Sequence, residues 1–580
     1  MTATALDAPP RSVRPGGEHD VPATPRPAVV ELLRRPLVAA LVLLLAYASL
    51  ALVLNDPRGT LGTDTGGKLA TLHMMERNGG LDPDVGYWAA AADPSGVLHP
   101  LHYTYRVGGK WVNVTTLPML YAAYPLYRVG GDRAVVLLPM LGALVCACAA
   151  RALARRLGGG SGWSAFWVVG LASPVVIYAL DFWEHTWGLG LVLWGVVLLL
   201  DVVERRAGWR AAFGAGALFG AAATMRTEAL VYLVAATGCA GLVLLVRERR
   251  PGRALLTGCA ALAGALGPLV GERLLEQWTI GSDLRGARVA GTAGGAAASL
   301  TDRLHEAVTT TLGVGLSGLR PSGELVVGLA VVVLLAAGAW GLSSARRPRV
   351  VAGSVAVAVA FAVYLVRVSQ GLGFVPGVLA ASPFAAVGLV LAWRRGPLRL
   401  PATIACLALP VVWLTQFTGG SLPQWGGRYV LVTGALLAVA GCVALHGRPR
   451  AFLAVLSVAV LVTGAGLTWL SVRSHTVADG MATIVARHDE VLISRQVHAL
   501  REGGAFYDSS RHWLTATTDA QLARAVGIAR ATGAHELALL EDPAARAPRE
   551  LGGYRRGPTQ LVAFVRPDVK VAVVTYRLPN

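Results

Sequence analysis

Lysine is nearly missing from this chain of 580 residues, standing only at Lys68, Lys110 and Lys570. Arginine supplies almost all of the remaining positive charge, a bias that reflects GC-rich coding of a bacterial kind and says little about mechanism. Charge of either sign is scarce too. Asp, Glu, Lys and Arg together make 15% of the residues while apolar types make 54%. A soluble domain carries about 25% charge, so the composition points to a polytopic membrane protein, with a soluble multidomain enzyme as the alternative. Cysteine is sparse, and Cys146, Cys148, Cys239, Cys259, Cys406 and Cys442 all fall inside apolar runs. That placement excludes a disulfide framework or a metal knuckle and fits small core residues. No small-residue cleavage site follows the first apolar run, Pro36 to Leu54, so the run reads as an uncleaved first span. Residues 1–35 lack any apolar stretch and are expected to be a disordered tail. No internal repeat of transporter type is visible.

What is present is a succession of apolar runs. A membrane-crossing helix needs roughly 20 apolar residues. On that basis the chain holds about thirteen spans, near 36–54, 133–152, 162–180, 187–203, 208–224, 229–246, 254–272, 325–342, 350–368, 375–393, 399–416, 429–446 and 451–471. The net charge of +18 sits in short clusters between these runs. "RALARR", "ERRAGWR", "RERRPGR", "RRPR", "RRGPLR" and "GRPR" follow every second span, and the alternate connections hold at most one basic residue each. That is the positive-inside pattern, not a nucleic-acid surface. It puts the N-terminal tail in the cytoplasm and the loops 55–132 and 273–324 outside, with the transmembrane module covering 36–474. The last 475–580 residues have mixed charge, strand-like runs ("EVLIS", "ELALL", "LVAFV", "VKVAVVTYRL") and a helical pattern near 518–532. They read as a small α/β domain on the outer face.

Polar residues gather on that same side, where a bilayer does not ask for them. The first loop carries Asp56, Asp64, Lys68, His73 and Glu76. "KLATLHMMERN" reads as an amphipathic helix in the interface, with "GTDTGG" as the turn before it. Asp64 is either the N-cap of that helix or a reacting carboxylate. Beyond it, "HPLHYTYRVGGKWVNVTTLPMLYAAYPLYRVGG" is aromatic-rich, suiting an interfacial helix pair or the wall of a groove. "DFWEHT" offers Asp181, Glu184 and His185, which could ligate a metal, orient an acceptor, or form a solvated turn. "MRTE" offers Arg226 and Glu228, a possible self-contained ion pair. "SLPQWGGRYVLV" places Arg428 beside Gln424 and Trp425, where a guanidinium suits a phosphate or simply snorkels.

Four stretches together resemble the GT-C superfamily of polytopic glycosyltransferases, the class of the protein O-mannosyltransferase-like and aminoarabinose-transferase-like enzymes. They are "GTDTGGKL" after the first span, "LPMLYAAYPLY" before the second, "MRTE", and the late "QWGGRYVLV". The resemblance implies transfer of a hexose or pentose from a polyprenyl phosphate donor to an acceptor hydroxyl, with inversion, on the outer face of a bacterial cell membrane. The acceptor would be a cell-envelope glycan, a glycolipid or a protein. It implies Asp64 as general base, Arg428 and Lys68 on the leaving phosphate with Arg226 beside them, and Asp56 as the reserve base. Glu228, Gln424 and Trp425 join Asp181, Glu184 and His185 as candidate substrate contacts. Many relatives carry a paired acid where Thr65 follows Asp64. A divalent cation, magnesium or manganese, would therefore need Asp181, Glu184 or His185. The alternative classes are a flippase or transporter of a lipid-linked intermediate and a non-catalytic membrane scaffold. The first predicts polar residues along the bundle midplane, where this sequence has few. The second leaves the early Asp and late Arg unexplained.

Overall fold

A computed structural model of the chain describes residues 34–59, 62–249, 251–282, 284, 300–314, 321–373, 375–416, 425–487 and 489–579. Gln424, nearly all of the N-terminal tail and parts of the loop 273–324 lie outside the described residues. The chain divides into two units, Met1–Val42 and Leu43–Asn580. All the contacts described for the site lie within the second.

Among the described residues, nine helices are long and apolar enough to cross a bilayer: Pro36–Leu54, Leu137–Arg156, His185–Val203, Ala229–Arg247, Pro251–Ile280, Leu325–Leu342, Arg347–Val368, Gly396–Thr415 and Pro449–Val485. Two shorter apolar helices, Pro383–Arg394 and Arg428–Ala444, accompany them. The chain is a polytopic helical membrane protein. The expected span 208–224 is the helix Trp209–Met225, 17 residues long. The expected span 162–180 is broken into Trp163–Leu171 and Val175–Ala179. Pro174 has no N–H to continue the ladder, and the Ser173 hydroxyl takes over by donating to the Val169 carbonyl and accepting from the Val175 N–H. On Pro251–Ile280 the side chains of Leu255, Leu262, Leu266 and Leu274 share one face and are exposed, as a lipid-facing stripe requires.

The arginine-rich connections collect at one end of the bundle. Arg156 holds Asp201 by two bonds of 2.6 and 2.7 Å. Arg253 donates to the Val202 carbonyl and Arg395 to the Val443 carbonyl. Each of these two guanidiniums meets a carbonyl in the last turn of a helix, where positive charge is favoured.

The opposite end, here the head, is built from the first loop and the C-terminal region. The helix Thr63–Arg77 starts five residues earlier than the interfacial pattern suggests, so "TDTGG" is its first turn and not a preceding loop. It is also deeper, with Thr65 through Leu72 all buried. After it, β1 (Thr104–Val107) and β2 (Lys110–Asn113) form an antiparallel hairpin. The expectation of a helix pair gives way here because Gly108 and Gly109 both take positive φ, 57° and 85°. A two-residue turn of that kind matches the twist of paired strands. The helix Leu117–Ala134 follows, kinked at Gly130 and Gly131.

Pro449–Val485 runs for 37 residues, past the expected end of the last span, and carries the chain into the C-terminal sheet. That sheet has the order β4-β3-β5-β8-β7-β6. β3 (Val491–Ser494) pairs in parallel with β4 (Trp513–Thr515) and β5 (Glu536–Glu541). β6 (Glu550–Leu551), β7 (Tyr554–Phe564) and β8 (Arg566–Arg577) complete it in antiparallel fashion. The helix Asp519–Ala531 packs on it behind a capping box made by Thr518 and Gln521. Ala70, Met74, Val85, Leu98 and Trp111 of the first loop share one apolar core with Leu492, Leu500, Trp513 and Leu539 of this region. The first loop and the C-terminal sheet are therefore one packed body.

Candidate active site

Asp64 lies in the first turn of Thr63–Arg77, where negative charge is favoured by the helix N-terminus. It does not cap the helix. Gly62 occupies that position, and no side chain makes the capping bond. The carboxylate instead lies between two guanidiniums. Oδ2 accepts from Arg428 Nη1 at 3.1 Å and Oδ1 from Arg501 Nη1 at 3.2 Å. Burial alone would raise its proton affinity, but Arg428 and Arg501 outweigh burial and hold the carboxyl well below the usual range.

Two glycines let this happen. A Cβ on Gly66 would stand 1.9 Å from the Arg501 carbonyl oxygen, and one on Gly67 2.3 Å from Asn113 Oδ1. The "GG" of the first loop is thus a close-approach pair against the segment carrying Arg501. Arg501 is itself fixed on several sides. It donates to Thr63 Oγ1 at 3.1 Å and to Asn113 Oδ1 at 3.1 Å, with only 1% of its side chain exposed.

A second charged group adjoins the first. Thr65 donates to Asp181 Oδ2 at 3.0 Å, and the Phe182 N–H donates to Oδ1. Lys68 donates to the Phe182 carbonyl at 2.9 Å and makes a buried ion pair with Glu184. Arg226 bridges Glu184 and Glu228, with contacts of 3.3 and 2.8 Å. Burial would raise Glu184, yet Lys68 and Arg226 together bring it down to about 2. The aromatic ring of Tyr429 joins the two groups. Its hydroxyl accepts from Arg428 at 2.6 Å, and its ring lies 5.0 Å from the Arg226 guanidinium. His185 is buried between the rings of Tyr178 and Trp183, at 5.1 and 4.7 Å. It lines a narrow cleft with Gly188, Arg226, Glu228, Arg428 and Tyr429.

Asp64, Lys68, Asp181, Glu184, His185, Arg226, Glu228 and Arg428 therefore come together from connections spread over the whole chain. Lys68 is placed differently from the expectation of a free phosphate contact, because its ammonium is taken up by Glu184. Trp425 contributes its carbonyl, which accepts from the Tyr178 hydroxyl at 2.9 Å, while its ring packs against Gly466 and Trp469. Three of the first-loop candidates stand apart. Asp56 pairs with Arg58 at 2.8 Å, His73 meets Asp132, and Glu76 meets Arg128 and the Tyr124 hydroxyl. Sequence reasoning passed over Tyr429, which adjoins Arg428 in the quoted motif. It also passed over Arg501, which carries no local signal, and read Asn113 only as the head of "NVT", formally a glycosylation acceptor motif.

Of the three candidate cation ligands, two carboxylates are already engaged by protein groups, while both ring nitrogens of His185 are buried without a hydrogen-bond partner. Asp181 accepts from Thr65 and the backbone, and Glu184 is neutralised by Lys68 and Arg226. Among the described residues no three His, Cys, Asp or Glu side chains converge as ligands.

The fold and the site define a polytopic membrane protein with a balanced chamber of carboxylates and cations at one end of its bundle. No protein-family model and no curated protein matches the chain. Solved structures similar to it include ArnT from Cupriavidus metallidurans in the apo state. That match has 14% identity and a TM-score of 0.41, covering 94% of this chain and 98% of that one. The same protein bound to undecaprenyl phosphate matches at 15% identity and a TM-score of 0.42, over the same shares. The Archaeoglobus fulgidus oligosaccharyltransferase in complex with Zn and sulfate matches at 11% identity and a TM-score of 0.42, covering 86% of this chain and 67% of that one. Likeness this distant assigns no activity; the chamber has to do so from its own residues.

Proposed function

We propose that the chain is a membrane glycosyltransferase of GT-C type, which moves a sugar from a polyprenyl phosphate to an acceptor hydroxyl. The observation that carries this reading is the Asp64 carboxylate held between Arg428 and Arg501. A carboxylate that takes a proton and guanidiniums that take a phosphate are what the reaction needs within one small volume. The acceptor O–H gives its proton to Asp64 while its oxygen attacks the anomeric carbon from the face opposite the phosphate. The bond from that carbon to the phosphate oxygen breaks, and the charge passes to the carrier phosphate, where Arg428 and Arg501 receive it. The configuration inverts.

Asp64 pressed between two cations is a weak base. A donor phosphate competes for the same guanidiniums, and each contact it draws away raises the proton affinity of the carboxylate. Lys68 and Arg226 act one step back, fixing Glu184 and, through Tyr429, the position of Arg428. The arginine-rich end of the bundle faces the cytoplasm by the positive-inside rule. The chamber then opens on the outer side of a bacterial cell membrane, where lipid-linked donors are presented to the cell envelope.

Purified protein in nanodiscs, given a radiolabelled polyprenyl-phosphate sugar, tests the reading. Lipids accumulating in a deletion strain, analysed by mass, supply the donor to use. Transfer that survives unchanged in Asp64→Asn removes the carboxylate from the mechanism and the reading with it.

A further inference from the structure

Beside the Asp64 pair lies a group of rings that the proton-transfer scheme leaves unused. His102 and Tyr103 have ring centres 4.0 Å apart, and His498 lies 5.1 Å from His102 and 6.2 Å from Tyr103. The Arg501 guanidinium stands 5.2 Å from the centre of the Tyr103 ring, on the same side chain that reaches Asp64. One cation therefore touches both the rings and the base.

The arrangement is held against a cost. Tyr103 has φ of 65°, in the left-handed region that a bulky side chain rarely adopts. Its backbone is pinned there, since its carbonyl accepts from the Val114 N–H at 2.9 Å. Asn113, which accepts from Arg501, donates to the His102 carbonyl at 3.2 Å and to Thr104 Oγ1 at 2.8 Å. The same amide thus fixes the ring segment and the guanidinium. Despite this bracing, Tyr103 remains 40% exposed. Strain of this kind, kept in place by surrounding bonds and presenting an open ring, is concentrated at functional positions. His498 adds a buried Nδ1 with no hydrogen-bond partner.

We infer that Tyr103, His102 and His498 form a stacking shelf for the acceptor, and that the acceptor is an uncharged sugar ring of a glycan or glycolipid. This inference rests on the transferase reading of the same site. A sugar ring offers a face of C–H bonds to an aromatic surface and hydroxyls at its rim, so a ring on the shelf turns its rim toward Asp64. Burial, with Arg501 nearby, lowers the proton affinity of both histidines, His102 to about 4. At neutral pH the shelf is neutral and suits a neutral ligand. A peptide acceptor would be recognised through backbone N–H and C=O groups, as at a sheet edge; three ring faces offer little of that.

Asp64→Asn protein in nanodiscs keeps the shelf and lacks the base, so it reports binding without turnover. Neutral mannan, arabinan and galactan oligosaccharides are tested on it by saturation-transfer NMR, with a Ser/Thr-rich peptide beside them. At least one oligosaccharide binds and the peptide does not. Adding Tyr103→Gly weakens binding by roughly tenfold, and Tyr103→Phe retains it. Glycine is at ease at this φ, so backbone strain does not account for the loss, and Tyr103→Phe controls for the packing of the ring on Arg501. In the active protein, Tyr103→Gly raises the acceptor KM by a similar factor and leaves the donor KM in place. Preferential binding of the peptide, or indifference of every readout to Tyr103→Gly, overturns the shelf. A rise in the donor KM alone assigns the rings to the donor sugar and overturns the acceptor assignment. Oligosaccharide binding by a wild-type protein that transfers nothing supports the shelf and removes the transferase reading instead.

Discussion

Asp64 and Arg501 are 437 residues apart in the chain and 3.2 Å apart in the fold. One belongs to the first turn after the opening span, the other to a short helix on the C-terminal sheet. The C-terminal region, outside the membrane bundle, thus contributes a guanidinium to the proposed reaction centre. Arg428, from the late bundle, meets the other oxygen of the same carboxylate at 3.1 Å. Three distant segments depend on one side chain.

Replacing that carboxylate is the first prediction. Asp64→Asn keeps one oxygen acceptor and the side-chain shape but cannot take the acceptor proton at neutral pH. Loss of a general base costs about 10²–10⁴-fold in rate. Transfer in nanodiscs is expected to fall by that factor with donor binding retained. A variant that neither folds nor binds donor would point to a structural role only, and full activity would exclude Asp64 as the base.

Much of this was legible in the sequence, and the reasons differ by element. The bundle shows itself because each apolar run must satisfy its own backbone in lipid. The strands near 491–494, 536–541 and 566–577 show themselves by short apolar runs, β-branched in the first and last and leucine-rich in the middle one. Asp64, Arg226 and Arg428 stood out because a charge at a span end is costly without a purpose. Arg501 had no such mark, since an arginine in a mixed-charge stretch looks like any solvated one. Its burial is created by tertiary packing against Gly66 and Gly67. The hairpin of β1 and β2 was written in "VGGK" and lost under the aromatic richness around it.

The acid limb of the activity profile tests the two arginines separately. In the wild type, Arg428 and Arg501 hold Asp64 deprotonated far into acid. Arg501→Gln removes one of them, so the pH at which activity is half lost on the acid side moves upward. Arg428→Ala is expected to raise the donor KM more than the acceptor KM, because a guanidinium suits the phosphate of the proposed donor. An acid limb that stays in place in Arg501→Gln, with kcat merely scaled down, would reduce that residue to a packing role. Equal effects of Arg428→Ala on both substrates would leave it no special tie to the donor.

Stability should also depend on acid, with a definite sign. Glu184 is held near 2 in the folded protein, against about 4.3 in an unfolded chain. A carboxylate with a depressed folded pKa stabilises the fold fully above its unfolded value. That contribution is lost as pH falls from about 4.3 toward 2. Thermal unfolding in detergent is expected to shift downward across this window, and less so in Glu184→Gln. Equal acid sensitivity of the two proteins would show that Glu184 is not the group responsible.

The buried pair of Lys68 and Glu184 predicts a non-additive double mutant. Removing one partner of a buried pair leaves an uncompensated charge and costs about 3–5 kcal/mol. Lys68→Met leaves Glu184 with Arg226 alone, and Glu184→Gln leaves Lys68 with only the Phe182 carbonyl. The double variant removes both charges and should recover most of the loss seen in the worse single one. A double-mutant cycle read by thermal stability in detergent measures this. Simple addition of the two losses would mean the ammonium and carboxylate do not depend on each other.

The last prediction touches no charged residue. A Cβ on Gly66 would meet the Arg501 carbonyl oxygen at 1.9 Å and the Glu502 carbonyl oxygen at 2.9 Å. Backbone oxygens on a packed sheet domain cannot swing aside as a side-chain tip can. Gly66→Ala must therefore push the helix Thr63–Arg77 away from the segment carrying Arg501, drawing Asp64 off its guanidinium. Alanine also favours helix over glycine by about 1 kcal/mol, so the helix itself gains while the junction loses. Activity should fall by about 10²-fold, the scale that a 1 Å misplacement produces. Limited proteolysis should then release the C-terminal region faster. Gly80→Ala, where nothing lies within 4 Å of the added methyl, is the matched control and should behave as wild type. If Gly66→Ala transfers sugar as well as that control does, the tight seat between the first loop and the C-terminal sheet does not govern the position of the base.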